Sequence, residues 1–397
     1  MRTADVVVAG GGIAGLLIAS ELATQLKVVL LEQDENLPRG KYWLSDGESG
    51  RVSPAFFPCI DRIYNQIDFV AYDGLKASVS GTYCLWDTDR LIEKLTADFV
   101  RSGGDLLTGY RLYSYSQSAD SITIRANAEM IKAKLLVDCM GFGSPLVAAK
   151  GIASIMGYYI LCGCEVRTRD PGIAPVALDN AIVHGKPTYF ELFPTSHGTA
   201  HAAVIVPARH HKPDRSLKAD LNFILQKSHY SDILDGTVQT RSYFGIIPVG
   251  RLYRPALDRI IFFGEAGQTN PAASATGLSR MLHIYRALAE AIFESIERSK
   301  LTGCELIRAI PQSMTRMNRA FQECVFEDLV SFNSDDFRRL VLDLRATPHD
   351  VLNDLIFARF EFGMWRTLPL ALRALMRRRS VLGRNVVKSV ARALGLG

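Results

Sequence analysis

A chain of 397 residues, 48% hydrophobic and 22% charged, is long enough to bury a substantial core and to divide into two or three joined parts, which excludes a disordered or low-complexity protein. Its formal charge of +5 belongs to the C-terminus. Between Met364 and Gly397 stand eight Lys or Arg and no acid, so +5 less the tail's +8 leaves the rest of the chain at −3. Nothing before the first apolar run resembles a signal peptide and no clean spanning segment follows, so a cytoplasmic protein is expected.

Val6 to Val8 read as a buried strand. Gly10, Gly12 and Gly15 follow at the spacing that lets a chain turn sharply, approach a pyrophosphate with its backbone and seat a helix on the strand. Ile13 and Ala14 open that helix, whose apolar run extends to Leu26, and its amino end favours an anion. A second strand, Val28 to Glu32, ends in an acid with Gln33 beyond it. Glu32 is placed to accept from both ribose hydroxyls of an adenosine, which argues against a 2′-phosphate and so against NADP. Strand, turn, helix and acid together make a dinucleotide cradle, and FAD and NAD both fit it at this point.

The stretch from Gln33 to Gly50 is too polar for core and reads as a ligand-facing loop. A helical patch is expected near Ala55 to Gln66, short strands around Phe69 to Tyr83, and a helix from Thr88 to Arg101 with apolar spacing at Leu91, Leu95 and Phe99. Gly103-Gly104 ends it. Strands follow at Arg111 to Ser116, Ser121 to Ala126 and Leu135 to Asp138. The middle third alternates strands (Tyr158 to Arg167, Thr188 to Phe193, Ala202 to Pro207, Thr240 to Pro248) with one helix, Leu217 to Gln226. Tyr158, Tyr159, Tyr189, Phe190, Phe193, Tyr243 and Phe244 would suit a hydrophobic ligand or simply an aromatic sheet core. The seven cysteines are scattered and fit reduced thiols better than disulfides. Cys162-Gly-Cys164 lacks a second pair at ligand spacing, so no metal is expected.

At Arg259 to Gly267 another buried strand stops in a glycine turn carrying an acid, Gly264-Glu265, and Pro271 and Gly277 open the helix after it. That turn offers an acceptor for sugar-alcohol hydroxyls and amide donors for a flavin, which NAD does not require. From Pro311 the chain is helical. In its basic end, residues 364–397, leucines and valines interleave with the cations, which suits either an anionic membrane surface or a helix covering its own domain. Beyond Trp365 no aromatic residue or binding motif accompanies the arginines, which speaks against nucleic acid.

Gly10 to Glu32, Val137-Asp138-Cys139-Met140-Gly141-Phe142, and Gly264-Glu265-Ala266 with Pro271 and Gly277 together resemble the glutathione-reductase-type FAD fold of aromatic hydroxylases, geranylgeranyl reductases, flavin-dependent halogenases and lycopene cyclases. The resemblance implies an α/β (α+β) protein: a Rossmann FAD-binding domain over 1–155 and 250–300 with inserted strands at 69–83, a mixed β-sheet substrate domain over 156–249, and a C-terminal helical region over 301–397. Within that superfamily the chain is most similar to lycopene cyclases, through Ile246-Ile247-Pro248-Val249-Gly250, Phe321 to Phe326, Phe337 to Leu340 and Leu355 to Arg359. Those enzymes use reduced FAD without net redox change on an apolar polyene. Their paired acids, however, fall here on Ala203-Val204-Ile205-Val206-Pro207-Ala208, which has none.

Two acids are candidate catalytic groups. Glu191, on the adjacent strand, substitutes for the missing pair if apolar neighbours raise its pKa, against the alternative of a solvent-facing position on an alternating strand. Glu48 lies in Gly47-Glu48-Ser49, similar to a Gly-Glu-Ser segment of halogenases, although their tryptophan-rich signature is replaced by Tyr189 to Pro194. The absent acids favour an FAD-dependent oxidoreductase, of monooxygenase or dehydrogenase type, acting on a hydrophobic polyene, isoprenoid or aromatic molecule. Its electrons would come from NAD(P)H or a separate reductase. A reduced-flavin cyclase and a halogenase are the alternatives.

Overall fold

Strands made almost wholly of Val, Ile and Leu are buried on both faces, and such strands pair in parallel between covering layers. Val6–Ala9, Val28–Glu32 and Leu135–Asp138 do so in the computed structural model, which describes residues 1–48, 54–170, 172–312, 314–359 and 380–394. They form the middle of a six-stranded sheet in the order Ala256–Leu257, Ile260–Phe262, Leu135–Asp138, Val6–Ala9, Val28–Glu32, Asp105–Thr108, parallel except for the short hairpin at one edge. Val6, Val8, Val28 and Leu30 pack on one side under the helices Ile13–Leu22, Thr88–Arg101 and Gly277–Glu297. Val7, Ala9, Val29 and Leu31 pack on the other against the four-stranded sheet Arg2–Thr3, Glu129–Ala133, Ile122–Ala126, Leu112–Gln117.

The Thr88–Arg101 helix has the expected bounds because its signals agree: Leu91, Leu95 and Phe99 are buried on one face and the Asp87 carboxylate accepts from the N–H groups of Asp89 and Arg90. Other expectations change. Only Pro54–Cys59 is helical, as 3₁₀, where a patch to Gln66 was expected. Ile60–Val70 and Lys76–Asp87 are long antiparallel strands rather than short ones. Within the expected loop 33–50, Tyr42–Asp46 is a strand paired to Lys76–Asp87, with Ser45 and Asp46 buried.

All three strands belong to the large sheet. Its eight strands run in the order Leu234–Leu252, Ala153–Thr168, Thr199–Ala208, Lys186–Pro194, Val176–Val183, Ile60–Val70, Lys76–Asp87, Tyr42–Asp46. Val176–Val183 was not expected, because Asp179 and Asn180 interrupt its apolar run. Both are buried, and Asp179 accepts from the Tyr230 hydroxyl at 2.7 Å. The strand joins the two groups by a parallel pairing with Ile60–Val70.

Each face of this sheet is covered. Leu217–Lys227 packs on one. The C-terminal helices Arg316–Ser331, Ser334–Arg345, His349–Ile356 and Val381–Leu394 pack on the other. In the last helix Val381, Leu382 and Val386 enter the core, while Arg384 and Lys388 pair with Asp328, and Arg392 with Glu327. The described part of the basic tail therefore covers its own domain. The remaining tail cations, Arg366, Arg373, Arg377, Arg378 and Arg379, lie outside the described residues. No helix among the described residues is long and apolar enough to cross a membrane.

Candidate active site

The first glycine turn is held by contacts that exclude side chains. Gly10 has φ +107°, and a Cβ there would meet the Cys139 carbonyl oxygen at 2.4 Å; one on Gly15 would meet the Gly10 carbonyl oxygen at 1.8 Å. Gly12 differs, since a Cβ on it would have nothing within 4 Å. It is also the N-cap of Ile13–Leu22, with no side-chain cap, so the open space faces uncapped helical N–H groups.

Ile13 is buried, and Ala14 touches the second turn. Glu32 is buried and anchored: Gly11 N–H donates to its Oε2 at 2.7 Å and Asp34 N–H to its Oε1 at 3.0 Å. Each carboxylate oxygen keeps further acceptor capacity for a sugar hydroxyl. Gln33 is exposed just beyond.

The two turns expected from sequence meet in space. Gly264 has φ +68°, and a Cβ on it would lie 2.5 Å from Ala14 Cβ. Glu265 stands beside Gly141, its Oε2 3.5 Å from where a Cβ would be there. Burial raises the Glu265 pKa, and Lys41 and the Phe142 N–H oppose that shift. Asp138 acts within the protein. It accepts from Met140 N–H at 3.0 Å and from the Ser144 hydroxyl, and burial pushes its carboxyl up to about 6. Pro271 is buried, and Gly277 admits the Asn270 amide against the start of its helix, where a Cβ would be 1.7 Å from Asn270 Oδ1.

Lys41, Glu265, Asn270 and Gly277 also border a cavity of about 330 Å³ between the eight-stranded sheet and the C-terminal helices. A period of two selects the wall on three strands, Tyr189, Glu191 and Phe193, then His201, Ala203, Ile205 and Pro207, then Tyr159 and Leu161, while the strand Leu234–Leu252 borders it continuously from Tyr243 to Ile247. Phe321, Val325, Leu329, Leu340, Leu344 and Leu352 close it from the helices. Phe190 instead faces the core under Leu217–Lys227, and Tyr158 packs edge-on to Phe142.

Strand register puts Glu191 beside Ala203, Ala203 beside Gly163, and Gly163 beside Tyr243. Glu191 and Tyr243 thus end a row whose two middle members are small. A Cβ on Gly163 would strike the Tyr243 ring at 2.4 Å, so the glycine makes room for it. Burial alone pushes the Glu191 carboxyl up to about 7. The solvent-face alternative for Glu191 is thereby replaced by a cavity position. Glu48, in contrast, is exposed, pairs with Arg359 at 2.8 Å and is not among the cavity-lining residues, and Ser49 lies outside the described residues.

His201 is the functional candidate that sequence reading missed. It lies two residues before Ala203 on the same face, against the Tyr42 ring and 6.2 Å from the Tyr243 ring. The signal was present as a polar residue at the period-two positions of an otherwise apolar strand, Ala-His-Ala-Ala-Val-Ile-Val-Pro.

The family model described as lycopene cyclase protein matches residues 5–359. The chain belongs to this family. No curated protein sequence matches it. Among solved structures, this lycopene cyclase family member is similar to a geranylgeranyl bacteriochlorophyll reductase-like protein from Thermoplasma acidophilum, with TM-score 0.76 and 15% identity over 93% of this chain and 99% of that one. It is also similar to halogenase PltM in complex with phloroglucinol and FAD, with TM-score 0.69 and 12% identity over 99% of this chain and 96% of that one. A third is p-nitrophenol 4-monooxygenase PnpA from Pseudomonas putida DLL-E4, with TM-score 0.64 and 15% identity over 96% and 99%. At these identities the likeness is one of fold. The chain's cavity acid, Glu191, stands on the strand beside the acid-free stretch Ala203 to Ala208.

Proposed function

We propose that this protein is an FAD-dependent enzyme that rearranges a hydrophobic polyene or isoprenoid by acid catalysis, with Glu191 as the proton donor. One observation carries the reading: a carboxyl held in an apolar cavity and protonated up to about pH 7. Such a group matches general-acid work near neutral pH.

Gly10, Gly12 and Gly15 with Ile13 and Ala14 would hold the pyrophosphate, Glu32 the adenosine ribose, and Gly264, Glu265, Pro271 and Gly277 the ribityl chain and ring. The open space at Gly12 and the glycine-only approaches at Gly10 and Gly264 fit that group. Bound and reduced, FAD supplies an electron-rich ring that stabilises positive charge close by. Glu191 gives its proton to a substrate double bond, a second double bond closes on the resulting cation, and loss of a neighbouring proton to the Glu191 carboxylate restores the acid. The product is an isomer of the substrate. The aromatic and aliphatic wall excludes water from the cation.

The oxidoreductase reading keeps one observation in its favour. Glu265 and Gly277 border the same cavity, so a substrate there would adjoin the flavin end of the cradle. Acyclic polyenes with and without a hydroxyl end group, incubated with the enzyme and reduced FAD without oxygen, separate the two. A cyclic product of unchanged mass, lost in Glu191→Gln, is expected. Substrate-stimulated oxidation of NAD(P)H with oxygen uptake and an oxidised product would overturn the acid reading.

A further inference from the structure

Protonation of a hydrocarbon calls for Glu191 but gives no role to His201, a residue 3% exposed that lines the cavity wall. Among the described residues neither of its ring nitrogens has a hydrogen-bond partner. Its strand neighbours in register are Phe193 and Glu165, and Glu165 accepts at 2.6 Å from Thr199. Burial, with Arg241 adding to it, pushes the imidazole down to about 3, so near neutral pH it offers one N–H donor and one acceptor and no charge.

A buried polar group left unpaired costs on the order of 1–3 kcal/mol, and an apolar residue would line this wall without that penalty. A core histidine normally donates to a carbonyl or carboxylate, and among the described residues none meets this one. The missing partner is then on the ligand. We infer that the substrate carries a neutral oxygen function, a hydroxyl or carbonyl, that hydrogen-bonds to His201 between Tyr42 and Tyr243, and is therefore an oxygenated polyene or isoprenoid rather than a hydrocarbon. An anionic group is disfavoured, since the imidazole offers it no charge and Glu191 lies on the same face one strand away. The inference rests on the cavity being the substrate site.

Binding of all-trans-retinol and of its hydrocarbon counterpart, with methyl in place of the hydroxymethyl end, to the full-length FAD-loaded protein tests it by quenching of protein fluorescence. The alcohol is expected to bind about tenfold more tightly. His201→Leu removes that difference by weakening the alcohol and not the hydrocarbon, and His201→Gln, which keeps a donor and an acceptor, retains part of it. Equal binding of the two probes by the natural protein, or a preference that survives in His201→Leu, overturns the inference. Glu191→Gln separates it from the acid reading: turnover retained in that variant sinks the acid role while the alcohol preference stands. Binding of neither probe overturns both.

Discussion

The nucleotide half and the cavity half of this molecule are built by different means. In the first, the proposed cofactor contacts lie in the backbone: Gly10 and Gly15 close their turn against Cys139 and against each other, Gly264 comes up to Ala14 where a Cβ would not fit, and open space is left only at Gly12. In the second the proposed chemistry lies in side chains, where Glu191, His201 and Tyr243 come from three strands and are brought together by register. A backbone site fails when its conformation is lost. A side-chain site can lose its chemistry and keep its fold.

The largest expected effect therefore falls on the first half. Gly10→Ala forces a side chain into a left-handed backbone and against the Cys139 carbonyl, at a cost of about 3 kcal/mol or more, with FAD retention lost. Gly12→Ala sharpens the point. It leaves the melting temperature nearly unchanged, since nothing surrounds its Cβ, yet weakens FAD by filling the space beside the uncapped N–H groups. Thermal unfolding and released-flavin fluorescence measure both, and equal destabilisation by the two would remove the distinction.

Next is Glu191→Gln, expected to lower turnover about 10²- to 10⁴-fold while FAD content stays at the natural level. For the natural protein, turnover should fall as pH rises through about 7, because the acid form is lost there. Activity that is flat from pH 6 to pH 9 would contradict a general acid at this position.

These two halves were unequally legible in sequence. The glycine turns are local patterns a few residues long, and both could be read directly, although their meeting through Ala14 and Gly264 could not. The Thr88–Arg101 helix was legible because spacing and cap agree. The cavity depends on pairings among distant segments, so the missing acids at Ala203 to Ala208 and the candidate Glu191 beside them were legible, while the row that joins Glu191 through Ala203 and Gly163 to Tyr243 was not. His201 looked like one polar residue in an apolar run. Asp179 and Asn180 hid a whole strand, because two buried polar residues, of which Asp179 is satisfied by the Tyr230 hydroxyl, break a hydrophobic pattern.

The cavity half also depends on its helical cover. Asp328, mostly buried, accepts from Arg384, Asn385 and Lys388 at 3.1, 3.1 and 3.2 Å, tying Val381–Leu394 to Arg316–Ser331. Asp328→Ala should destabilise by about 1–3 kcal/mol in chemical unfolding and open the cavity to a fluorescent apolar probe, with the FAD half unaffected. Loss of FAD from this variant would show that the halves are less separable than their construction suggests.

The smallest effect sharpens the contrast most, because it concerns stability without any change of shape. Glu191 has a folded pKa of about 7 against an ordinary 4.5. A raised carboxyl pKa means that the folded state favours the proton, so ionisation opposes folding. Below pH 4.5 the residue is protonated in both states and has no effect. Between 4.5 and 7 the penalty grows, and above 7 it is complete. Glu191→Gln should therefore be stabilising by about 1–3 kcal/mol at pH 8 and neutral near pH 4, in the same protein that has lost turnover. A side chain kept at a cost to stability only while it is charged is what a cavity acid requires. A variant whose gain over the natural protein is no larger at pH 8 than at pH 4 would place Glu191 in water rather than in the apolar wall.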